Sequence, residues 1–135
     1  MKANHVESEY SSTWLEDGVI CQVIKPHLNA FNLTVAKELV ADRLKTCESK
    51  EGITHPVILV FSNMVSIDKE TREYYSQKEP FRYLSAIAII MDNYVARLIC
   101  NLVYAINKPP IPMAFFNDKS KALKWLEKYK LHNLN

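Results

Sequence analysis

Glycine is nearly missing from this chain. Only Gly18 and Gly52 occur in 135 residues, where average usage of about 7% gives roughly nine. A Walker loop or a dinucleotide fingerprint needs clustered glycines, so that the backbone can approach phosphate closely. Neither glycine has a second within reach, which excludes nucleotide binding by those two devices. Cysteine is scarce too. Cys21, Cys47 and Cys100 form no C-x-x-C pair, their number is odd, and each lies in an apolar or helical context. That pattern predicts reduced, buried thiols rather than a disulfide framework or a zinc site. Cys47, near a helix end, is the one open to exposure, but no adjacent histidine supports a thiolate nucleophile.

His5, His27, His55 and His132 include no His-x-x-x-His or Glu-x-x-His pair, so no metal site is expected. There is no G-x-S-x-G elbow, and neither a catalytic constellation nor a cofactor is expected. The longest apolar runs, such as AIAIIM at 86–91, are far too short to span a bilayer, and the first residues, MKANHVESEYSS, have no apolar core. A cytoplasmic protein without a transmembrane segment is the expectation. The net charge is only +2, and lysines mix with acidic neighbours, as in KETREYYSQKE. No nucleic-acid partner is expected from that balance.

What is present is a globular composition, 48% hydrophobic and 24% charged, in a length that suits a single domain over 1–135. The ordered core is expected over roughly 8–130, with mobile tails at 1–6 and 132–135. Residues 8–15 and 19–24 are β-rich runs around Glu16-Asp17-Gly18, a hairpin signal because both turn positions tolerate positive φ. Asn32 or Thr34 caps a helix to about residue 48, with Ala36, Leu39, Val40, Leu44 and Cys47 inward and Lys37, Asp42 and Lys45 outward. The runs 56–61 and 84–91 are apolar without alternation, which predicts parallel strands covered on both faces. A short polar helix over 68–77 lies between them. Residues 94–107 read as an unusually apolar helix stopped by Pro109 and Pro110. A strand over 111–116 follows, and Asn117 or Asp118 caps a final helix with Ala122, Trp125, Leu126 and Tyr129 inward.

The landmarks are Asp17-Gly18, the strand at 57–61, Thr71-Arg72-Glu73-Tyr74-Tyr75, Asn101-Leu102, Asn107-Lys108-Pro109, and Phe116 followed by Ala122-Leu123-Lys124-Trp125-Leu126. On these the chain, over roughly 9–129, resembles the STAS-like family, in its SpoIIAA-like bacterial branch of mostly uncharacterised members. The resemblance implies an α/β fold with an N-terminal β-hairpin and then alternating helices and strands, β-β-α-β-α-β-α-β-α. It implies a mixed sheet of about five strands with about four helices, and a regulatory, protein-binding or small-ligand-sensing role. Anti-sigma-factor antagonists of that family carry a phosphorylatable serine at the start of the helix after the middle strand. The matching place is 62–68, where this chain lacks the usual glycine-containing Asp-Ser pattern and offers Ser66.

Three candidate sites follow. Ser66 is either a phosphoacceptor or simply a helix cap. Ser62, Asn63, Asp92, Asn93 and Asn117 would rim a ligand site at the carboxyl ends of the parallel strands, although turns and caps use the same residue types. Tyr94, Leu98, Ile99, Leu102, Val103 and Ile106 make the wide apolar face of the 94–107 helix. It would meet a protein partner or a second copy in a homodimer, cover a small hydrophobic or lipid ligand, or be covered within the monomer by the final helix. The functional expectation is a non-enzymatic regulatory or protein-interaction module, with a small hydrophobic-ligand or lipid sensor as the alternative and an enzyme as the third class.

Overall fold

The computed structural model describes residues 2–28, 30–47, 54–61, 66–91, 93–94, 97 and 108–130. Eight strands run in chain order: β1 (Lys2–Glu7), β2 (Ser11–Glu16), β3 (Val19–Ile24), β4 (Ala30–Phe31), β5 (His55–Phe61), β6 (Ser66–Ile67), β7 (Leu84–Met91) and β8 (Met113–Phe116). Three α-helices have both bounds within the described residues: α1 (Leu33–Thr46), α2 (Lys69–Tyr74) and α3 (Lys119–Lys130). Six strands form one mixed sheet in the order β1-β2-β3-β5-β7-β8, and β4 and β6 pair separately. β1, β2 and β3 are antiparallel neighbours, whereas β3, β5, β7 and β8 are parallel.

The hairpin turns where expected. Asp17 and Gly18 have φ of 52° and 79°, and Glu16 pairs with Val19 across them. Two consecutive positive φ values match the right-handed twist of the flanking strands, and glycine adopts its value without a Cβ penalty. The uninterrupted apolar runs of β5 and β7 lie in the sheet centre, covered on both faces. Val57, Leu59, Phe61, Ile87, Ile89 and Met91 point to one side, with Val35, Ala36 and Leu39 of α1. Ile58, Ala86, Ala88 and Ile90 point to the other, with Ala122 and Leu126 of α3. The period-2 alternation of each strand therefore feeds two cores, as doubly covered parallel strands require.

Three expectations are corrected. The sheet has six strands rather than about five, because Lys2–Glu7, which takes in most of the tail expected to be mobile over 1–6, forms β1. Its polar sequence, KANHVE, hides the strand: it is an edge, exposed along nearly its whole length. A bulge between Ala3 and Val6 also breaks the alternation, with Asn4 at φ 53°. That turn directs Asn4 Nδ2 to the Thr46 carbonyl at 3.1 Å, meeting one of the orphan acceptors at the end of α1. Second, Asp42 is not outward but buried, for reasons given below. Third, Asp68, not Ser66, caps α2, accepting from the Thr71 N–H at 2.9 Å. Cys47 and Cys21 are buried thiols, as expected. Of the two residues named for each cap, Asn32 caps α1 and Asp118 caps α3. Of the apolar helix expected over 94–107, only Tyr94 and Arg97 are described. Both are helical, with the Arg97 N–H on the Asn93 carbonyl at 3.0 Å.

β1 is tied down by Glu7. Its carboxylate takes Lys25 Nζ at 2.7 Å, His5 Nε2 at 3.1 Å and the Ser12 hydroxyl at 2.7 and 2.8 Å. Led by the Lys25 contact, these hold its pKa at about 2, below the ordinary 4.5. A depressed carboxyl pKa stabilises the fold above the unfolded value, and that stabilisation is lost as pH falls from about 4.5 toward 2. An NMR titration of the Glu7 side chain is therefore expected to show a midpoint near 2, moving upward in Lys25→Met. On the opposite face, Ala86 and Ala88 leave room for α3 to approach closely. Ala88→Leu is expected to destabilise by about 1–3 kcal/mol through overpacking, read as a lower midpoint in urea unfolding.

Candidate functional site

Two features dominate one face of the sheet: a buried polar chain under α1, and an open groove between α1 and α2. The polar chain starts at Asp42, whose Oδ2 accepts from the Ser8 hydroxyl at 2.5 Å and the Ser11 hydroxyl at 3.0 Å. Ser11 Oγ also accepts from Gln22 Nε2 at 3.1 Å, and the same amide donates to the Leu39 carbonyl at 3.0 Å. Gln22 Oε1 in turn accepts from Arg43 Nη1 at 2.8 Å, while Arg43 Nη2 reaches the Pro80 carbonyl at 3.3 Å. Ser11 and Gln22 are fully buried, and Asp42 and Arg43 are each 2% exposed. The carboxylate and the guanidinium thus sit two side chains apart, linked rather than paired. Strand alternation puts Ser11, Thr13 and Gln22 on the α1 side, and helical spacing from Leu39 puts Asp42 and Arg43 over them.

The groove between α1 and α2 has a volume of about 540 Å³. Leu33 and Lys37 of α1 form one wall, and Glu70, Glu73 and Tyr74 of α2, followed by Gln77 and Glu79, form the other. It is open to solvent and carries three carboxylates against one ammonium. Lys37 Nζ stands 6.0 Å from the centre of the Tyr74 ring. Tyr74 stacks obliquely on Tyr75 at 5.4 Å, and Tyr75 contacts Phe31 and Phe81 at 6.0 Å each. Burial raises both phenols above the usual tyrosine range, with the Arg43 charge opposing it. The short helix α2 is fixed at its start. The Asp68 carboxylate accepts from both the Thr71 hydroxyl and N–H, which holds its pKa low. Arg72 Nη1 donates to the Ile67 carbonyl at 2.8 Å.

The candidate residues named from the sequence are placed unevenly. Ser66 lies in β6, its backbone paired with Ala30, two residues before the cap of α2. Asn93 and Asn117 are both exposed, just beyond the carboxyl ends of the neighbouring strands β7 and β8. Ser62, Asn63 and Asp92 lie outside the described residues, as do Leu98, Ile99, Leu102, Val103 and Ile106. Tyr94 is 65% exposed, with the Arg97 guanidinium 5.6 Å from its ring centre. His5, His27 and His55 sit on three separate segments. The groove and the polar chain were not anticipated. The signal for the chain was a lone glutamine in the apolar strand VICQVI, and an Asp-Arg pair three and four residues after the inward Leu39.

Removing one member of the polar chain leaves its neighbours buried and unmet. Arg43→Met and Gln22→Leu are each expected to destabilise by about 2–4 kcal/mol. The double substitution is expected to cost about 1–3 kcal/mol less than the sum, because the two groups share one bond. Guanidinium unfolding of the four chains measures this coupling directly.

With this geometry in hand, comparison with known proteins gives a fold and a family. A crystal structure of an uncharacterized protein of the DUF3478 family with a SpoIIAA-like fold, from Shewanella loihica PV-4, superposes with a TM-score of 0.58. The match covers 93% of this chain and 95% of that one at 11% sequence identity, so it speaks to the fold alone. No curated protein matches the sequence. The profile of the family described as "Domain of unknown function (DUF7793)" matches residues 13–130. The chain therefore has a SpoIIAA-like fold and belongs to the DUF7793 family.

Proposed function

We propose that this chain acts by binding rather than catalysis, as a single-domain protein-interaction module whose contact surface is the groove between α1 and α2. The observation that carries this reading is the form of the groove. A small-molecule site encloses most of its ligand with apolar walls. This groove is open and rimmed by Glu70, Glu73 and Glu79, with Leu33 and Tyr74 as its apolar part. Such a surface suits one or two side chains of a larger partner, particularly basic ones, with the rest of the partner resting on the exposed helix α2. The regulatory role expected from the family resemblance fits a module of this kind. The ligand-sensing alternative concerns the segment at 94–106, most of which lies outside the described residues.

A photo-crosslinking residue at Gln77, at the groove edge, tests the reading in the native host. It is expected to trap a discrete protein partner, while the same residue at exposed Lys45, at the far end of α1, traps none. Equal labelling at the two positions, or no adduct at Gln77, would sink the proposal.

A further inference from the structure

We infer that the groove takes the basic face of helix α3 from a second copy of this chain. This rests on the reading of the groove as a docking surface and names its occupant. Helix α3 carries Lys119, Lys121, Lys124, Lys128 and Lys130 against a single acid, Glu127. Lys130 pairs with Glu127 at 3.5 Å. Lys121, Lys124 and Lys128 stand at i, i+3 and i+7, all exposed, and so form one stripe along the helix. Among the described residues no carboxylate forms an ion pair with any of the three. Trp125 lies partly exposed beside the stripe, with Lys128 Nζ 5.8 Å from its ring centre.

The groove presents the complementary pattern. Glu70 and Glu73 are one turn apart on α2, the same separation as Lys121 and Lys124 on α3, and Glu79 lies beyond them. Side chains at this spacing are about 5–6 Å apart on either helix, so two antiparallel or parallel helices bring both pairs into register. Glu70 forms no ion pair among the described residues. Glu73 and Glu79 have exposed partners, Lys69 at 3.8 Å and Arg82 at 3.1 Å. Such surface pairs contribute little and exchange readily for a better-placed cation. Lys37, the one cation lining the groove, opposes the incoming lysines. Leu33 and Tyr74 offer the apolar surface on which Trp125 of the second copy would rest, giving an aromatic anchor flanked by charge pairs.

The two surfaces lie on opposite faces of the sheet, since α1 and α2 cover one core and α3 the other. The contact is therefore heterologous. Each copy offers its helix to one neighbour and its groove to another, so assembly grows head to tail unless it closes into a ring.

Sedimentation velocity of the full chain at rising concentration tests this. At low ionic strength the mean mass is expected to grow, and to return to the monomer in about 1 M salt, where the screening length falls to about 3 Å. The chain with Lys121→Glu and Lys124→Glu, and the chain with Glu70→Lys and Glu73→Lys, are each expected to associate about tenfold or more weakly. All four changed positions are exposed, so each variant is expected to fold, which circular dichroism checks. A chain carrying all four changes, or an equimolar mixture of the two variants, is expected to recover association. A monomer at every concentration, or association indifferent to charge reversal, overturns the inference. If the crosslinker at Gln77 traps a different protein on a monomeric chain, the self-contact is wrong and the groove reading stands. If it traps nothing, both fall.

Discussion

The Arg43 guanidinium is buried with no carboxylate bonded to it among the described residues, and much of one face follows from meeting its donors. A buried charge must be hydrogen-bonded on nearly every side to be tolerated. Its planar fork allows two acceptors to be met in fixed directions, Gln22 Oε1 on the sheet and the Pro80 carbonyl beyond α2. The first contact sets the rotation of α1 over β3. It also orients the Gln22 amide, which in turn holds Ser11 and the Leu39 carbonyl. The second fixes the segment after α2 against α1. A lysine at this position would meet one of these groups as a point charge and leave the other open. One side chain thereby ties α1 both to the sheet and to the segment that follows α2.

The two faces of the sheet are built on different terms. Large aliphatic and aromatic side chains fill the space beneath α1, where polar groups also had to be admitted. Beneath α3, Ala86, Ala88 and Ala122 permit close approach, and Leu126 fills what remains. The difference in packing is matched by a difference in charge. The acidic groove belongs to the first face and the lysine stripe to the second. The net charge of +2 is taken over the whole chain, and a near-neutral total of that kind hides fields that act locally at the range of contact.

How much of this was legible in the sequence depends on whether a local pattern carried it. The Asp17-Gly18 turn, the strands β5 and β7, and the burial of Ala122 and Leu126 on α3 each have a short-range chemical cause and were read, and the caps at Asn32 and Asp118 are each one of the two residues named. β1 was not, because an edge strand needs no apolar face and its bulge at Asn4 scrambles the alternation that remains. Asp42 was placed outward because charge usually is. Only the coincidence of Ser8, Ser11 and Gln22, distant in sequence, makes its burial acceptable. The groove is a property of two helices meeting, so neither helix announces it alone. Glu70 and Glu73 read separately as the solvated face of a polar helix.

Helix α2 has six residues, too short to persist on its own in water. Its order must therefore be imposed from outside, and the structure shows by what. Asp68 caps the first turn, Thr71 is fully buried, Arg72 returns to the Ile67 carbonyl, and β6 pairs with β4 immediately before it. At its far end Tyr75 is held among Phe31, Tyr74 and Phe81. Every one of these anchors faces inward or lies at the ends, which leaves Glu70 and Glu73 exposed, Glu70 as a first-turn acid and Glu73 with the weak pair to Lys69. A wall fixed from behind and unengaged in front loses little conformational freedom when a partner arrives. The concentration of tethers on so short a helix follows if α2 is maintained for the surface it presents, since the fold gains only Thr71 and part of its two tyrosines as packing.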